Sequence, residues 1–458
     1  MKVHFIAIGG SAMHNMAIAL HKKGIHVTGS DDEILEPSKS RLEKHGLLPR
    51  KIGWYPENIT PDIDAIVLGM HARIDNPELI KAQELGIRVY SYPEYIYEQS
   101  KNKKRVVIGG SHGKTSITAM ILHVLSKSSI DFDYMVGAQL TGFDTMVKIT
   151  DAPLIILEGD EYLSSPIDRR PKFHLYNAHI GLISGIAWDH INVFPTFKSY
   201  VEQFEKFMDT IEENGTIIYC ASDENVKNVV EKFNEKKIKK IPYTTHLNRT
   251  EKGITYLTTT AKEYPLLIFG NHNLQNLNGA KLVCNELGIS DEQFYSAIIS
   301  FKGAAKRLEL IAKTETCSVL KDFAHSPSKL KATTEAVKNQ FPDRKLIACM
   351  ELHTFSSLNA NFLEEYAGSM DFADEAIVYF NPHTLQHKKL PEITENQVKN
   401  AFKNQTIQVF NDSKVIVDKL KNMNWNNANL LLMSSGNFDG VNLDELGSTI
   451  CNCITTER

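Results

Sequence analysis

The sequence has little cysteine and no long apolar run. Its 458 residues include 6 Cys, and only Cys451 and Cys453 lie close together. A C-x-C pair without further Cys or His nearby is a poor zinc signature, and scarce cysteine favours a reducing compartment. No apolar run approaches the ~20 residues that a membrane span needs. These absences predict a soluble cytoplasmic protein that makes no membrane contact.

The chain also lacks an excess of either charge. It carries 51 Lys+Arg against 55 Asp+Glu, with 42% hydrophobic and 23% charged residues. A dedicated nucleic-acid-binding protein normally shows a basic excess, so no nucleic-acid partner is expected. At roughly 150 residues per domain, the length suggests about three domains, each large enough to bury its own core. Oligomeric state cannot be inferred.

Short apolar strands alternate with helical periodicity, a pattern typical of α/β domains with parallel sheets. We predict a Rossmann-like first domain over residues 1–100, a P-loop ATPase-like central domain over 101–303 and a Rossmann-like third domain over 304–458. The charged residues 101–105 are interpreted as a linker. Strands are predicted at residues 3–8, 25–29, 65–68, 88–90, 106–108, 154–157, 180–184, 216–219, 319–321, 346–350, 376–379, 407–410 and 430–433.

The strongest chemical motif is the glycine-rich loop of residues 109–116, between a predicted strand and an amphipathic helix. Such a loop points backbone N–H groups at an anion, and the helix N-terminus adds a favourable potential. Lys114 would then reach terminal phosphates, and Thr115 or Ser116 would ligate Mg²⁺. The spacing is one residue shorter than in the usual G-x-x-x-x-G-K-[ST] loop. The alternative is a glycine-rich turn with an incidental lysine.

Polar side chains follow two further predicted strands. Glu158 ends the strand at residues 154–157, where a nucleotide site would hold Mg²⁺. Asp189 and His190 follow the strand at 180–184, and an Asp-His pair there is able to hold a second divalent cation. The alternatives are an acidic loop entry for Glu158 and a structural role for His190. Thr115, Glu158 and His190 are therefore the metal candidates.

The first strand ends in a degenerate Rossmann turn, Gly9-Gly10-Ser11. The full G-x-G-x-x-G motif is absent, and Asp31 lies where a dinucleotide fold places its ribose acid. This turn is weak support for NAD. It is better support for a diphosphate, because a helix N-terminus needs only an anion.

These residues resemble the Mur ligase family, the ATP-dependent amide-forming enzymes of peptidoglycan metabolism. Six segments match family motifs in order: residues 110–116, 158–161, 189–190, 270–276, 306–309 and 322–327. The resemblance implies ATP as co-substrate and Mg²⁺ as cofactor. The ATP site that it implies comprises Gly110, Ser111, His112, Gly113, Lys114, Thr115, Ser116, His272, Asn273, Asn276, Arg307, Asp322 and His325.

The first domain resembles the branch of the family that binds UDP-N-acetylmuramate. The UDP-sugar residues that this implies are Gly9, Gly10, Ser11, Ser30, Asp31 and His71. One enzyme of the branch adds L-alanine, and another adds the tripeptide L-alanyl-γ-D-glutamyl-meso-diaminopimelate. Residues 168–173, 188–194 and 434–440 are similar to the tripeptide enzyme. The peptide-binding residues implied are Arg169, Arg170, Lys172, His353 and Asn437.

The implied reaction is carboxylate activation by ATP followed by amine attack, in peptidoglycan recycling. Lys114, Glu158 and His190 are the expected catalytic residues, and Glu205 is a candidate for the acid that replaces the carbamylated lysine of some family members. Residues 351–356 lack the Arg of the tripeptide enzyme, so the amine stays open. The alternatives are L-alanine ligation, an inactive nucleotide- or UDP-sugar-binding relative, and an NAD-dependent oxidoreductase, which leaves residues 110–116 unexplained.

Overall fold

The computed structural model describes residues 1–456, apart from residues 141, 189–192, 305–306 and 405, with side chains up to residue 452. The chain divides into two compact units. The first comprises Met1–Thr244 with Asn278–Ala297, and the second comprises Thr245–Leu277 with Ile298–Arg458. Each β-sheet lies within one unit. The predicted domain boundaries at residues 100 and 303 remain predictions.

The first unit begins with a four-stranded parallel sheet of order β2-β1-β3-β4. Alternate side chains of β1 pack on opposite faces: Phe5 contacts the core around α1, and Ile6 contacts the core around α3. This burial on both faces produces the apolar runs from which the Rossmann-like domain is predicted. The elements are β1 Lys2–Ile6, α1 Ser11–Lys22, β2 His26–Ser30, α2 Ser38–Lys44, β3 Ala65–Leu68, α3 Pro77–Glu84, β4 Val89–Ser91 and α4 Tyr92–Ser100.

A seven-stranded sheet of order β11-β10-β9-β5-β8-β6-β7 follows, parallel except for β7. Its central strand β5 is fully buried at Val106, Val107 and Ile108. Because β8 and β9 flank β5, the loops at their carboxyl ends meet at one edge of the sheet. The elements are β5 Lys104–Gly109, α5 Lys114–Lys127, β6 Asp133–Met135, β7 Val147–Lys148, β8 Leu154–Gly159, β9 Ile180–Ile183, α6 Phe197–Asp209, β10 Thr216–Cys220, α7 Glu224–Lys232 and β11 Lys239–Tyr243.

The charged residues 101–105 are not a linker, and that prediction is wrong. Lys104 begins β5, while Lys103 and Arg105 are buried. Lys103 Nζ lies 2.8 Å from Asp133 Oδ2, and Arg105 NH2 lies 2.6 Å from Glu212 Oε1. Buried charges need such partners. The partners lie 30 and 107 residues further along the chain, so the local sequence does not show them.

The second unit contains a three-stranded antiparallel sheet and a six-stranded sheet of order β15-β16-β20-β17-β18-β19, in which β15 alone is antiparallel. No helix among the described residues has the length and apolarity to span a bilayer. The elements from residue 248 onward are β12 Asn248–Glu251, β13 Ile254–Thr258, β14 Glu263–Leu266, α8 Asn271–Glu286, α9 Asp291–Ile298, β15 Glu309–Lys313, β16 Cys317–Asp322, α10 Pro327–Gln340, β17 Lys345–Leu352, β18 Glu375–Phe380, α11 Pro382–His387, α12 Glu395–Phe402, β19 Gln408–Phe410, α13 Ser413–Lys421, β20 Ala428–Met433 and α14 Leu443–Thr456.

Candidate functional site

The glycine-rich loop lies between β5 and α5, as predicted. Gly110 has φ +134° and Gly113 has φ +80°, both in the region that favours glycine. A Cβ on Gly110 would lie 2.1 Å from Ser184 Oγ, so a side chain does not fit there. The Ser111 N–H donates to the Gly185 carbonyl at 2.9 Å, and the Ser184 hydroxyl donates to the His112 carbonyl. The residues after β9 thus hold the loop in a fixed shape.

Lys114 begins α5 and points back over the loop. Its Nζ donates to the Gly110 carbonyl at 2.7 Å and lies 2.6 Å from Glu161 Oε2. Burial alone would lower the pKa of Lys114, but the carboxylates of Glu161 and Asp160 raise it above its ordinary value. The loop therefore contains a permanent cation where a terminal phosphate would lie.

Glu158 and Thr115 place two oxygen atoms that could bind a metal ion beside this lysine. The Thr115 hydroxyl donates to Glu158 Oε1 at 2.7 Å, and the Gly137 N–H donates to Oε2 at 2.7 Å. Burial raises the pKa of Glu158, as does Asp160, while Gly137 and Lys114 oppose the rise. A carboxylate and a hydroxyl are the hard oxygen ligands that Mg²⁺ prefers. Asp189 and His190 lie outside the described residues, which contain no cluster of three or more metal-ligating side chains.

An ion pair, a cation–π contact and a hydrogen bond extend the acidic motif after β8. Lys172 Nζ lies 3.2 Å from Asp160 Oδ2 and 4.1 Å from the centre of the Tyr162 ring. Burial would raise the pKa of Asp160, but Lys172 and Lys114 hold it below its ordinary value. The Tyr200 hydroxyl donates to Glu161 Oε1 at 3.1 Å. Lys172, which is predicted to bind peptide, therefore forms an ion pair with Asp160 of the acidic motif.

The two predicted peptide-binding arginines lie at the surface and differ in their contacts. Arg170 NH2 lies 2.7 Å from Asp168 Oδ2 and 3.2 Å from Glu94 Oε1. Arg169 is exposed and makes no ion pair with any described residue. The Arg169 guanidinium is consequently the more available of the two for a carboxylate of a substrate.

Glu205, the candidate acid, is exposed on α6. The same helix directs Phe204 and Phe207 into the core, where their rings pack on Phe173. Glu205 therefore faces solvent, on the side of α6 opposite to its packed aromatic rings.

The turn after β1 is bound by an acidic side chain, Asp31, whereas the turn after β5 contains Lys114. The Gly9 N–H donates to Asp31 Oδ2 at 2.7 Å, and burial raises the pKa of Asp31 although this hydrogen bond opposes the rise. The Ser30 hydroxyl donates to Glu78, which also accepts the Tyr55 N–H at 2.7 Å. Ser30 is thus buried in a structural network. Gly10 caps α1, and Ser11 and His71 are exposed at the same edge of the sheet.

In the second unit, Asp322 organises a cluster at the end of β16. It accepts the N–H groups of Leu308 and Ala324, each at 2.7 Å. Burial raises its pKa, and the charge of Arg307 lowers it. The Arg307 guanidinium lies 5.0 Å from the centre of the Phe323 ring, and His325 Nδ1 lies 2.8 Å from the Phe323 carbonyl oxygen. Arg307, Asp322 and His325, predicted for ATP, are therefore brought together.

A second cluster in this unit joins the ends of β17 and β20. Glu351 accepts hydrogen bonds from the Ser434 hydroxyl and from the Phe438 N–H, and Glu351 Oε1 lies 3.7 Å from His353 Nδ1. Burial would raise the pKa of Glu351, but His353 and Ser434 hold it below its ordinary value. His353 is 35% exposed on its side chain and Asn437 is exposed, so both predicted peptide-binding residues are accessible.

The segment predicted to contact adenine begins α8. Gly270 has φ +91°, and a Cβ there would lie 2.6 Å from the Ala336 Cβ. The Asn273 side-chain amide donates to the Phe269 carbonyl at 2.9 Å, which fixes the first turn of the helix. Asn273 and Asn276 are buried. This motif, with His272, lies in the second unit, whereas residues 110–116 lie in the first.

No local motif marks Tyr200 or Arg41, both of which contact the elements above. Tyr200 is fully buried on α6, 39 residues beyond its partner Glu161. Arg41 NH2 donates to Gln139 Oε1 at 3.0 Å across 98 residues. The sequence shows Tyr200 only as a polar group on the apolar face of α6 and Arg41 only as one charge on the polar helix α2, and neither pattern identifies a partner.

A glycine-rich, phosphate-type loop at the carboxyl edge of a mostly parallel sheet is typical of an enzyme that uses ATP. Three family models cover most of the chain. They are the Mur ligase family catalytic domain over residues 2–104, the Mur ligase middle domain over 108–284 and the Mur ligase glutamate ligase domain over 306–436. The chain belongs to the Mur ligase family, whose members form amide bonds in peptidoglycan biosynthesis. The predicted enzyme class and three-domain fold are confirmed.

Curated relatives and solved structures agree with this assignment. The chain is 32% identical to the UDP-N-acetylmuramate–L-alanine ligase of Sulfurihydrogenibium sp. over 82% of each chain. It is 25% identical to the UDP-N-acetylmuramate–L-alanyl-γ-D-glutamyl-meso-2,6-diaminoheptandioate ligase of Haemophilus influenzae, over 97% of this chain and 99% of that one. The crystal structure of the UDP-N-acetylmuramate–alanine ligase of Thermotoga maritima superposes with a TM-score of 0.70 at 19% identity, over 100% of both chains.

Proposed function

We propose that this enzyme joins the lactyl carboxylate of UDP-N-acetylmuramate to the amine of L-alanyl-γ-D-glutamyl-meso-diaminopimelate, in peptidoglycan recycling. The observation that carries the ATP-dependent step is the ammonium of Lys114, held 2.7 Å from the Gly110 carbonyl inside the glycine-rich loop. The proposal for the amine is supported by the segment around Arg169 and by the full-length similarity to the ligase of Haemophilus influenzae.

Phosphoryl transfer needs charge neutralisation more than covalent assistance from the protein. Lys114 neutralises the terminal phosphate of ATP, and the backbone N–H groups of the loop other than that of Ser111 orient it. Glu161 and Asp160 keep Lys114 protonated. The lactyl carboxylate attacks the terminal phosphorus and forms an acyl phosphate with release of ADP. The amine of the peptide then attacks the acyl carbon, and phosphate leaves.

The oxygen donors of Glu158 and Thr115 fit Mg²⁺, and with His190 they would hold it. Bound Mg²⁺ would neutralise the phosphate oxygens and so reduce their repulsion of the incoming carboxylate. Thr115 and Gly137 donate hydrogen bonds to the two oxygens of Glu158 and orient its carboxylate toward the loop. Arg307, Asp322 and His325, which lie together in the second unit, stay proposed nucleotide-binding residues.

The amine substrate carries carboxylates, and arginine binds carboxylates through paired hydrogen bonds. Arg169 has an exposed guanidinium without a described ion pair, so it is the favoured ligand for one of them. Arg170 would first have to release Asp168. His353 and Asn437 are accessible in the second unit and are proposed for the same substrate.

L-Alanine is the second candidate for the amine. The 32% identity to the L-alanine ligase of Sulfurihydrogenibium sp. favours it, and so does His353, which stands where the tripeptide enzyme has an arginine. Replacement of that arginine by histidine removes one permanent cation, which suits a substrate with a single carboxylate. A catalytically inactive relative is disfavoured because Lys114 and Glu158 are both present, in contact with the loop network.

The deciding experiment supplies purified enzyme with ATP, Mg²⁺ and UDP-N-acetylmuramate, and offers the tripeptide and L-alanine separately. Mass spectrometry detects the amide product, and phosphate release gives the rate. We expect product with the tripeptide, and an increased KM for the tripeptide in the Arg169→Gln variant with little change in the KM for ATP. Product with L-alanine alone would overturn the proposed amine. Binding of the UDP-sugar without any amide product would identify an inactive relative.

A further inference from the structure

We infer that Arg41 binds an anionic group of the sugar-nucleotide substrate. This inference deepens the proposed function and rests on it. Arg41 lies on α2, outside every motif that the sequence analysis assigns to a ligand. Its guanidinium lies where contacts join the first sheet to the seven-stranded sheet, within the first unit.

The contacts of Arg41 come from α1 and from the segment between β6 and β7. Arg41 NH2 donates to Gln139 Oε1 at 3.0 Å, and NH1 lies 3.5 Å from Asn15 Oδ1. Asn15 lies on α1 and accepts the Met146 N–H at 3.0 Å through the same oxygen. Two neutral side-chain amides therefore hold the guanidinium in place.

Arg41 is linked through these amides to both candidate sites. Asn15 Nδ2 donates to the Ser11 carbonyl at 2.8 Å, so one anchor belongs to the turn predicted to bind the UDP-sugar. The other anchor, Gln139, lies two residues after Gly137, whose N–H donates to Glu158. A substrate that extends from the first turn toward the terminal phosphate of ATP would pass this guanidinium.

The charge of Arg41 has no anionic partner among the described residues. The buried Arg105 of the same unit does have one: its NH2 lies 2.6 Å from Glu212 Oε1, whereas the partners of Arg41 are amides. A partly buried cation without a counter-charge is costly, and a bound anion would remove that cost. Guanidinium groups bind phosphate and carboxylate oxygens in pairs, so both are suitable ligands.

UDP-N-acetylmuramate offers two anions of this chemistry, its diphosphate and its lactyl carboxylate. UDP-N-acetylglucosamine has the same diphosphate but lacks the lactyl carboxylate. The two compounds therefore distinguish the two sources. Loss of binding to both assigns Arg41 to the diphosphate, and loss of binding to UDP-N-acetylmuramate alone assigns it to the carboxylate. Either result supports an anion-binding role.

The test measures binding of both sugar nucleotides by calorimetry to the full-length enzyme and to its Arg41→Gln, Arg41→Lys and Arg88→Gln variants. Arg88 is an exposed arginine of the same domain, 3.8 Å from Glu98, and serves as the matched control. Loss of a charged hydrogen-bonding partner predicts about ten- to a hundredfold weaker binding for Arg41→Gln. We expect an intermediate loss and stronger salt sensitivity for Arg41→Lys, with unchanged ATP binding in all variants.

Unchanged affinity of Arg41→Gln for UDP-N-acetylmuramate would overturn the inference. If Arg41→Gln does not fold, Arg41→Lys decides, because it keeps the charge but loses the paired geometry; wild-type affinity in this variant also overturns it. Failure of the wild-type enzyme to bind UDP-N-acetylmuramate would refute the proposed function, a result distinct from an unaffected arginine variant.

Discussion

The two glycine-rich turns of the first unit share a backbone plan and differ in their charges. Each follows a buried parallel strand, β1 or β5, and opens a helix, α1 or α5. Such a helix start attracts anions in both cases. The turn after β5 carries Lys114 and is surrounded by Glu158, Asp160 and Glu161. The turn after β1 has no cation of its own, and its Gly9 N–H is engaged by Asp31.

Under the proposed function, this difference suits one local fold to two kinds of ligand. A turn with its own lysine supplies the charge that a reacting terminal phosphate requires, and the acids around it keep that lysine protonated. A turn without a lysine offers N–H groups and a carboxylate, a combination that suits the hydroxyl and phosphate groups of a sugar nucleotide. Charge for that ligand must then come from elsewhere, and Arg41 is our proposed source.

Among the substitutions that test this comparison, replacement of Lys114 has the largest expected effect on activity. In the Lys114→Met variant we expect kcat to fall by about a hundred- to a thousandfold, because the developing phosphate charge loses its cation. UDP-sugar binding at the other turn should be unchanged. Steady-state kinetics and calorimetry measure the two effects. Lys104→Met, at the exposed start of β5, is the control. Full ATP-dependent product formation by Lys114→Met would refute the role of the loop.

A Cβ added to equivalent glycines should affect the two turns unequally. Gly110→Ala would place a Cβ 2.1 Å from Ser184 Oγ at a φ of +134°, whereas Gly10 has φ −57° and its nearest Cβ contact would be 3.5 Å. Strain of that kind costs about 1–3 kcal/mol before the clash is counted. We therefore expect a lower thermal midpoint for Gly110→Ala and nearly none of that loss for Gly10→Ala. Equal midpoints would contradict the assigned backbone difference.

Strands buried on both faces are the part of the fold that can be predicted from sequence, because burial imposes continuous apolar runs. Residues 65–68 are predicted to their exact bounds as β3, and the strands that flank the loop are placed correctly. The first strand ends earlier than predicted, at Ile6, because Ala7 adopts φ +70°. β12–β14 are missed because they are short: β12 is fully exposed, and β13 and β14 alternate over only five and four residues with few apolar side chains.

Some residues of the candidate site can likewise be predicted from sequence, and others cannot. Lys114 and Glu158 can be predicted because each directly follows a recognisable element, and the fold of a parallel sheet brings such positions together. Tyr200 and the Arg41–Gln139 contact depend on pairs 39 and 98 residues apart. The local sequence contains no information about such pairs. Lys172 shows the converse: its motif predicts a peptide ligand, and the structure shows an ion pair with Asp160.

Low pH should destabilise the domain that contains the lysine-bearing loop, because the folded domain buries His174 in its neutral form. Its ring stacks on Phe173, which packs behind Gly109, and burial lowers the pKa of His174 to about 4 from its ordinary 6.5. The unfolded chain therefore binds a proton that the folded chain excludes, and stability falls as pH drops from 6.5 toward 4, by at most about 3 kcal/mol. Urea unfolding across this range should show a weaker pH dependence in His174→Gln than in the exposed control His26→Gln. The same pH slope in both variants would refute this assignment.

The smallest expected effect concerns Tyr200, whose hydroxyl supports only the turn after β5. Its O–H donates to Glu161 Oε1 and so directs Oε2 to Lys114, while Asp31 accepts backbone N–H groups and no hydroxyl from the described residues. Loss of a hydrogen bond to a charged group predicts about a tenfold lower kcat in Tyr200→Phe. Tyr176→Phe is a stringent control, because that buried hydroxyl has no hydrogen-bond partner. We expect the KM for UDP-N-acetylmuramate to stay constant in both variants, since Tyr200 acts on the phosphate side only. An equal decrease of kcat in both would mean that Tyr200 contributes only to packing, and the lysine would then be positioned by the loop carbonyl of Gly110 and by Glu161 without further help.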